Sequence, residues 1–471
     1  MSTFTRYIGI LFIIYLSYFL LLVVYQVILG VIGFFENRRR NKQDEAEDYS
    51  RFSVSAFSLP VSFIVPARNE QEWISESIKA ILSQDYPEFE VIVVNDNSTD
   101  QTMNILHELL DLQELTNPYK DRFDAGKIIG MHRSRKYPKV TVLTKISGKK
   151  KAGALNAGLN FAKYKYVCIM DADTIIEPNA LLRIMSHVQK EPDNIIGIGS
   201  SFGLVNGFKV KDGQIVDKSY SYKPLLAYQN IEYIRSFIGN RIAWSRFNSS
   251  PTIAGGFGIW RRDILLELGG YSTDFTCEDI ELTFRMQDFI IKNKKDNYKI
   301  LMMPYFIGWT EGPSNIRSLI LQRSRWQRVT NETVSYYRHM FMNPQYKMFA
   351  FAIMPYFLLY EVLGVFFEIS SISLVLFGWW AGWLDVRMFL ALFCFMVLTQ
   401  TLVSLISIGA FFREEKLFKL KDIVLFVFLS FFETFWYRWI ISLAKLWGTF
   451  GYLRGQKHFD QYERSKVKTD S

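Results

Sequence analysis

Residues 8–35 contain no charged side chain. About 20 apolar residues in a helix cross the hydrocarbon core of a bilayer, so this run is long enough to span one. A cleaved secretory signal fits poorly, because the apolar region is too long and no small-x-small site follows it. Arg38, Arg39, Arg40 and Lys42 come directly after. By the positive-inside rule the amino terminus is then outside and the following domain cytoplasmic.

The 471 residues leave room for two or three domains of ~100–200 residues each. With 49% hydrophobic and 21% charged residues, a mainly disordered chain is excluded. Cys168, Cys277 and Cys394 form no CxxC pair and no disulfide framework, which agrees with a reducing compartment. The five histidines form no metal-ligand cluster in the sequence, which argues against a zinc enzyme or a His-based triad. A net charge of +9 suits basic cytoplasmic loops beside a membrane better than nucleic-acid binding, given the span.

Apolar character returns at Met348. The runs 348–360, 362–367 and 369–384 are separated by Glu361 and Glu368. Residues 388–412 form a clean span, and 423–432 a shorter run ending at Glu433 and Arg438. Three to five spans are expected in total. The basic segments 413–421 and 452–468 should both be cytoplasmic, yet only one apolar run lies between them; the last segment is re-entrant, or one basic segment breaks the rule. Glu361, Glu368, Glu433 and Arg438 are costly in lipid and should face protein or a polar path. The expected division is a membrane helix at 8–35, a cytoplasmic domain at 51–312, interfacial helices at 313–345, a membrane region at 346–447 and a basic tail at 448–471.

Between the membrane segments, short and uniformly apolar runs at 61–65, 91–94, 140–143, 166–170 and 195–198 read as buried strands of parallel type. Residues 73–83 have helical periodicity. Alternating strand and helix implies an α/β sheet, which binds its ligand at the carboxyl ends of the strands.

Those ends are polar. Pro66, Arg68, Asn69 and Glu70 follow the first strand, Asn95 to Asp100 the second, and Asp171-Ala172-Asp173 the fourth. Ser98 and Thr99 fit a helix cap as well as a ligand contact. Asp171 and Asp173 leave a buried strand together and would repel without a cation between them; oxygen ligands of this kind suit Mg2+ or Mn2+. Lys149, Lys150 and Lys151 lead into a small-residue turn and helix, either as a solvated charge run or as a diphosphate contact. Glu278 and Asp279 open a helix, where acids also favour the dipole. Gln322, Arg325 and Trp326 share one face of a helix over 315–337, a face of amide, guanidinium and indole that suits a diphosphate beside a sugar ring.

Taken in order, these residues resemble the processive, membrane-embedded family-2 glycosyltransferases: cellulose, chitin, hyaluronan and bacterial poly-N-acetylglucosamine synthases. The likeness spans 61–328 and extends loosely into the membrane region. It implies an α/β fold of GT-A (Rossmann-like) type, a cytoplasmic glycosyltransferase domain inserted between transmembrane helices of a multi-pass plasma-membrane protein. It implies donor contacts from Pro66, Arg68, Glu70, Asp96, Lys151, Asp171, Gln322 and Arg325. Asp173, with Asp171, is then the metal ligand for Mg2+ or Mn2+. Gly255, Gly256 and Trp326 present the acceptor, and Asp279, beside Glu278, is the general base. Arg323 and Arg328 are expected at phosphate headgroups.

Two positions depart from the family pattern. Cys277 stands where many relatives carry Thr before Glu-Asp, and Glu281 replaces a common Asp. Asn95 precedes Asp96 where some relatives have two aspartates, so only Asp96 is carried over for the nucleoside. No appended cyclic-dinucleotide-binding domain is expected.

The implied reaction moves a sugar, with inversion, from a UDP-sugar to a growing β-linked polysaccharide coupled to export. UDP-N-acetylglucosamine is the first donor expected and UDP-glucose the second. The alternatives are transfer of one sugar to a membrane lipid and a non-catalytic membrane scaffold. Partners are the donor, a polysaccharide or lipid-linked acceptor and the bilayer, without nucleic acid and with room for an accessory membrane subunit.

Overall fold

The computed structural model describes residues 3–49, 52, 58–116, 121–123, 125–146, 148–382, 385–414 and 420–456. Of the expected basic segments, 415–419 and everything after Gln456 lie outside the described residues. The chain forms two compact units. One comprises residues up to Arg38, Ala227–Ala243 and Asn315–Gln456; the other contains Arg39–Leu226 and Trp244–Ser314.

The second unit is built on a ten-stranded mixed sheet. Its strands are β1 (Val61–Ala67), β2 (Phe89–Asn95), β3 (Leu112–Glu114), β4 (Ile128–Ser134), β5 (Val140–Lys145), β6 (Tyr166–Met170), β7 (Thr174–Ile176), β8 (Ile195–Leu204), β11 (Phe257–Arg261) and β12 (Lys299–Thr310). Strands β9 (Lys209–Lys211) and β10 (Gln214–Asp217) form a separate hairpin. The order is β3-β4-β5-β2-β1-β6-β11-β8-β12-β7.

At its centre β5, β2, β1 and β6 run parallel, as their uniform apolar character requires. Ala67 is in register with Asn95, and Asn95 with Thr144, so these strands end together on one edge. The Lys150–Phe161 helix packs closely on this sheet: a Cβ on Gly158 would sit 2.3 Å from Ile64 Cγ2. The five strands read from the sequence are all present, the first, second, third and fifth longer than expected.

Seven of the described strands were not anticipated, and two of them, β11 and β12, shape the site. β11 follows Gly255-Gly256 and contains Gly258, so it reads as loop; it is fully buried and antiparallel to both β6 and β8. β12 contains Pro304, which speaks against a central strand. The sheet accommodates the proline where the β12–β8 register shifts between Met302 and Phe306. β4 pairs antiparallel with β5 near the sheet's edge.

Among the described residues, Ile10–Glu45 and Phe389–Phe411 are long and apolar enough to cross a membrane, and up to four spans result if each of two bent pairs is one. These pairs are Phe349–Val362 with Gly364–Trp380, bent by 44°, and Leu420–Phe435 with Tyr437–Leu453, bent by 54°. The first bend follows two π-helical turns around Pro355, a recognised cause of kinks. Each charge expected to be costly in lipid has a protein partner. Glu361 pairs with Lys445 at 2.7 Å, Glu368 with Arg438 at 2.5 Å and Glu433 with Arg235 at 2.8 Å.

Candidate active site

The strand ends of the sheet unit are braced to each other by side chains. Asn69, in the left-handed region at φ 57°, donates its backbone N–H to Ser98 Oγ at 3.0 Å and accepts from the Thr99 N–H at 2.8 Å. The Glu70 N–H donates to Thr102 Oγ1 at 2.8 Å. Ser98 and Thr99 therefore tie two loops together. Asp100 accepts from the Thr102 N–H at 3.0 Å, where the next helix begins. Arg68 is exposed at this edge, and Pro66 and Glu70 are half-buried.

Asp96 is buried and paired with Lys145, whose ammonium is 2.7 Å away and whose side chain has no exposed surface. Lys145 also donates to the Ile146 and Gly148 carbonyls, both at 3.0 Å. Sequence reasoning missed Lys145. Its signal was a lysine ending a buried strand, where a charge persists only if paired.

Asp171 and Asp173 leave β6 at the same edge. Thr310, the last residue of β12, donates its hydroxyl to Asp173 Oδ1 at 3.1 Å. It too was not anticipated, because β12 was not recognised. Lys151, in the first turn of the Lys150–Phe161 helix, lies 2.5 Å from Asp171 and 2.8 Å from Glu278. Glu278 starts the Glu278–Lys292 helix and is buried, with Asp279 beside it half-buried. A Cβ on Gly255 would stand 3.0 Å from Lys151 Nζ and 3.4 Å from Glu278 Oε1. The Gly256 carbonyl accepts from the Asp171 N–H at 3.4 Å. Thus Lys151, Asp171, Asp173, Gly255, Gly256, Glu278 and Asp279 form one cluster, drawn from four separate places in the chain.

Two carboxylates, Asp171 and Glu278, share the Lys151 ammonium. Burial raises the Asp171 carboxyl to about 6; Lys151 opposes the rise, and Asp173 and Glu278 add to it. For Lys151 burial favours the neutral amine, but Asp171 and Glu278 outweigh it and hold the ammonium well above its usual range.

Gln322, Arg325 and Trp326 lie on the Ile316–Tyr336 helix of the helical unit. Gln322 is buried, Arg325 half-buried and Trp326 37% exposed. The expectation that Arg323 and Arg328 meet headgroups is corrected here, since both are buried. Arg323 pairs with Glu232 at 2.8 Å, donates to Gln322 Oε1 at 2.5 Å and lies 4.1 Å over the Trp326 ring. Glu232 also accepts from Tyr437 Oη at 2.7 Å. Arg323 therefore orients Gln322 and Trp326 from inside the protein.

The sheet and its acid-lined edge define a mixed α/β glycosyltransferase domain of GT-A-like fold. Residues 62–269 match the model of Glycosyl transferase family 2, and 166–408, just over half of the chain, that of Glycosyl transferase family group 2. The chain belongs to the family-2 glycosyltransferases. It is 27% identical over 388 residues to a poly-beta-1,6-N-acetyl-D-glucosamine synthase of Staphylococcus epidermidis, covering 82% of this chain and 81% of the relative. It is 26% identical over 442 residues to the probable glycosyltransferase YdaM of Bacillus subtilis, covering 92% and 91%. A mannosyltransferase of Pyrobaculum calidifontis, solved with GDP-Man and Mn2+, aligns with a TM-score of 0.49 and 16% identity over 92% of this chain and 99% of its own.

Proposed function

We propose that the chain transfers a sugar from a UDP-sugar to the end of a growing β-linked polysaccharide, with inversion, on the cytoplasmic side of a membrane that the product then crosses. The donor proposed first is UDP-N-acetylglucosamine, on the likeness to the poly-beta-1,6-N-acetyl-D-glucosamine synthases; UDP-glucose is second. The observation that carries the reading is the Lys151 bridge, which joins Asp171 at a strand end to Glu278 at a helix start.

The residues present fit a divalent cation. Asp171 and Asp173 offer carboxylate oxygens at one strand end, and Thr310 donates to Asp173. Among the described residues no three His, Cys, Asp or Glu side chains form a complete metal site. Asp173 and Asp171 would hold Mg2+ or Mn2+, which when bound offsets the charge of the leaving diphosphate.

The acceptor hydroxyl loses its proton to Asp279 as its oxygen bonds to the anomeric carbon. The bond from that carbon to the diphosphate oxygen breaks, and its electron pair leaves with UDP. Lys151 and Arg325 stabilise that departing charge. Pro66, Arg68, Glu70 and Asp96 bind the nucleoside end, with Gln322 beside the diphosphate. Gly255 and Gly256 leave space for the acceptor, and Trp326 offers it a ring.

The test is incubation of membranes carrying the protein with a panel of UDP-sugars, reading UDP release and product size. Long polymer from one donor supports the proposal. A lipid bearing one sugar supports single transfer instead. Folded protein that releases no UDP from any donor overturns both and leaves the scaffold.

A further inference from the structure

One oxygen of Glu232 receives two donors from two different helices. Glu232 stands near the end of the Pro224–Ile234 helix. Its Oε2 accepts from Arg323 Nη2 at 2.8 Å and from Tyr437 Oη at 2.7 Å. Arg323 is on the helix that carries Gln322 and Trp326. Tyr437 is the first residue of the Tyr437–Leu453 helix, directly after the 54° bend. It is 1% exposed, and its ring stacks on Tyr228, one turn before Glu232, with centroids 5.0 Å apart. On the other side of the bend, Glu433 is gripped by both terminal nitrogens of Arg235 at 2.8 Å. The bend is thus pinned on both sides to one short segment, Tyr228 to Arg235.

The same segment seats Trp326. Arg323 lies 4.1 Å from the centre of its ring, and the Tyr233 ring lies beside it at 6.4 Å. Hydrogen bonds to a carboxylate are short and strong, and a connected set of them holds its members in one arrangement. The Glu232 side chain keeps 26% of its surface exposed, so packing alone does not fix it. The Tyr437 phenol does, from a buried and stacked position.

We infer that Tyr437 is a positioning residue for chain elongation: its hydroxyl fixes Glu232, Glu232 fixes Arg323, and Arg323 holds the Trp326 ring for the acceptor sugar. The helix that follows the bend and the hold on the acceptor are linked through these bonds. This rests on the acceptor role proposed for Trp326.

The experiment uses the full-length protein in membranes. Product length is measured for the wild type, Tyr437→Phe, Trp326→Ala and the double variant, with UDP affinity and thermal unfolding on the same proteins in detergent. Tyr437→Phe removes one oxygen and keeps the ring on Tyr228. It should shorten the product about fivefold, somewhat less than the full loss of a hydrogen bond to a charged group, because the effect is relayed. UDP affinity should stay within about twofold. Residues acting along one path are not additive, so the double variant should make product no shorter than that of Trp326→Ala. Glu232→Gln, whose amide oxygen still accepts from both donors, should make longer product than Glu232→Ala. Normal length from Tyr437→Phe, where Trp326→Ala shortens the product, overturns this inference alone. So does a double variant whose product is shorter than that of Trp326→Ala by the same factor, since Tyr437 then acts elsewhere. Glu232→Gln no better than Glu232→Ala also overturns it, as does shortening matched by a fall in UDP affinity or unfolding temperature. Normal length from Trp326→Ala removes the acceptor role of the ring and this inference with it. A wild type that makes no polymer from any donor overturns the polysaccharide reading itself.

Discussion

The Lys151 ammonium lies 2.8 Å from the Glu278 carboxylate, on a helix more than a hundred residues away in sequence. It reaches Asp171 at 2.5 Å with the same nitrogen. Removing it leaves the carboxylates facing one another and takes a cation from the proposed leaving group. Lys151→Met should lower turnover by ~10²–10³-fold, as loss of a preorganised charge does. Lys151→Arg should not restore it, because a planar fork does not replace a point charge held between two acids. Steady-state UDP release on both variants checks this.

Asp173→Asn should abolish transfer while the protein remains folded in detergent. A chelator should do the same to the wild type, reversibly on adding Mg2+ or Mn2+. Thr310→Val removes the hydroxyl that fixes Asp173 and should cost about tenfold, the scale of one hydrogen bond to a charged group. Full activity in chelator would sink the metal assignment.

Asp279→Asn should lower turnover by ~10²–10⁴-fold, the range for a lost general base. UDP binding should survive, because the base acts on the acceptor. Calorimetry decides: lost UDP binding makes Asp279 a donor residue instead.

Arg325→Ala should weaken UDP binding and Trp326→Ala should leave it nearly intact while shortening the product. A guanidinium binds phosphate; an indole offers ring area and one donor. Arg323→Ala should resemble Trp326→Ala with an added loss of stability, since Arg323 covers that ring and pairs with Glu232. If Trp326→Ala makes product of normal length at normal rate, the ring only anchors its helix.

His187 carries a pH dependence of stability. Burial, then the nearby Lys190 ammonium, lowers its pKa to about 4, and its Nε2 lies 3.1 Å from Tyr305 Oη. The unfolded chain protonates this ring near 6.5. Between these values the unfolded state binds more protons, so the stability held above pH ~6.5 falls as pH drops toward 4, by ~3 kcal/mol. His187→Phe should flatten that slope in thermal unfolding measured from pH 7 to pH 4.5.

Much of this protein follows from local sequence. The uncharged run at 8–35 becomes a helix, since a lipid-length apolar stretch must satisfy its own backbone. The strands β1, β2, β5 and β6 declare themselves because both faces of a parallel sheet are buried. Asp171 and Asp173 stand out because two carboxylates leaving a buried strand need a reason to be there. Other features are tertiary. β12 was hidden by Pro304, which a bulge against β8 accommodates, and with it went Thr310. Arg323 looked like a headgroup ligand because its charge is visible and Glu232, some ninety positions earlier, is not adjacent in sequence. Lys145 and Asp96 are two unremarkable charges until parallel pairing of β2 with β5 brings them to 2.7 Å. In each case the deciding quantity is burial together with a distant partner. A sequence gives the type of a charge and its neighbours along the chain, whereas its meaning depends on what replaces water around it, and only the fold brings that group into place.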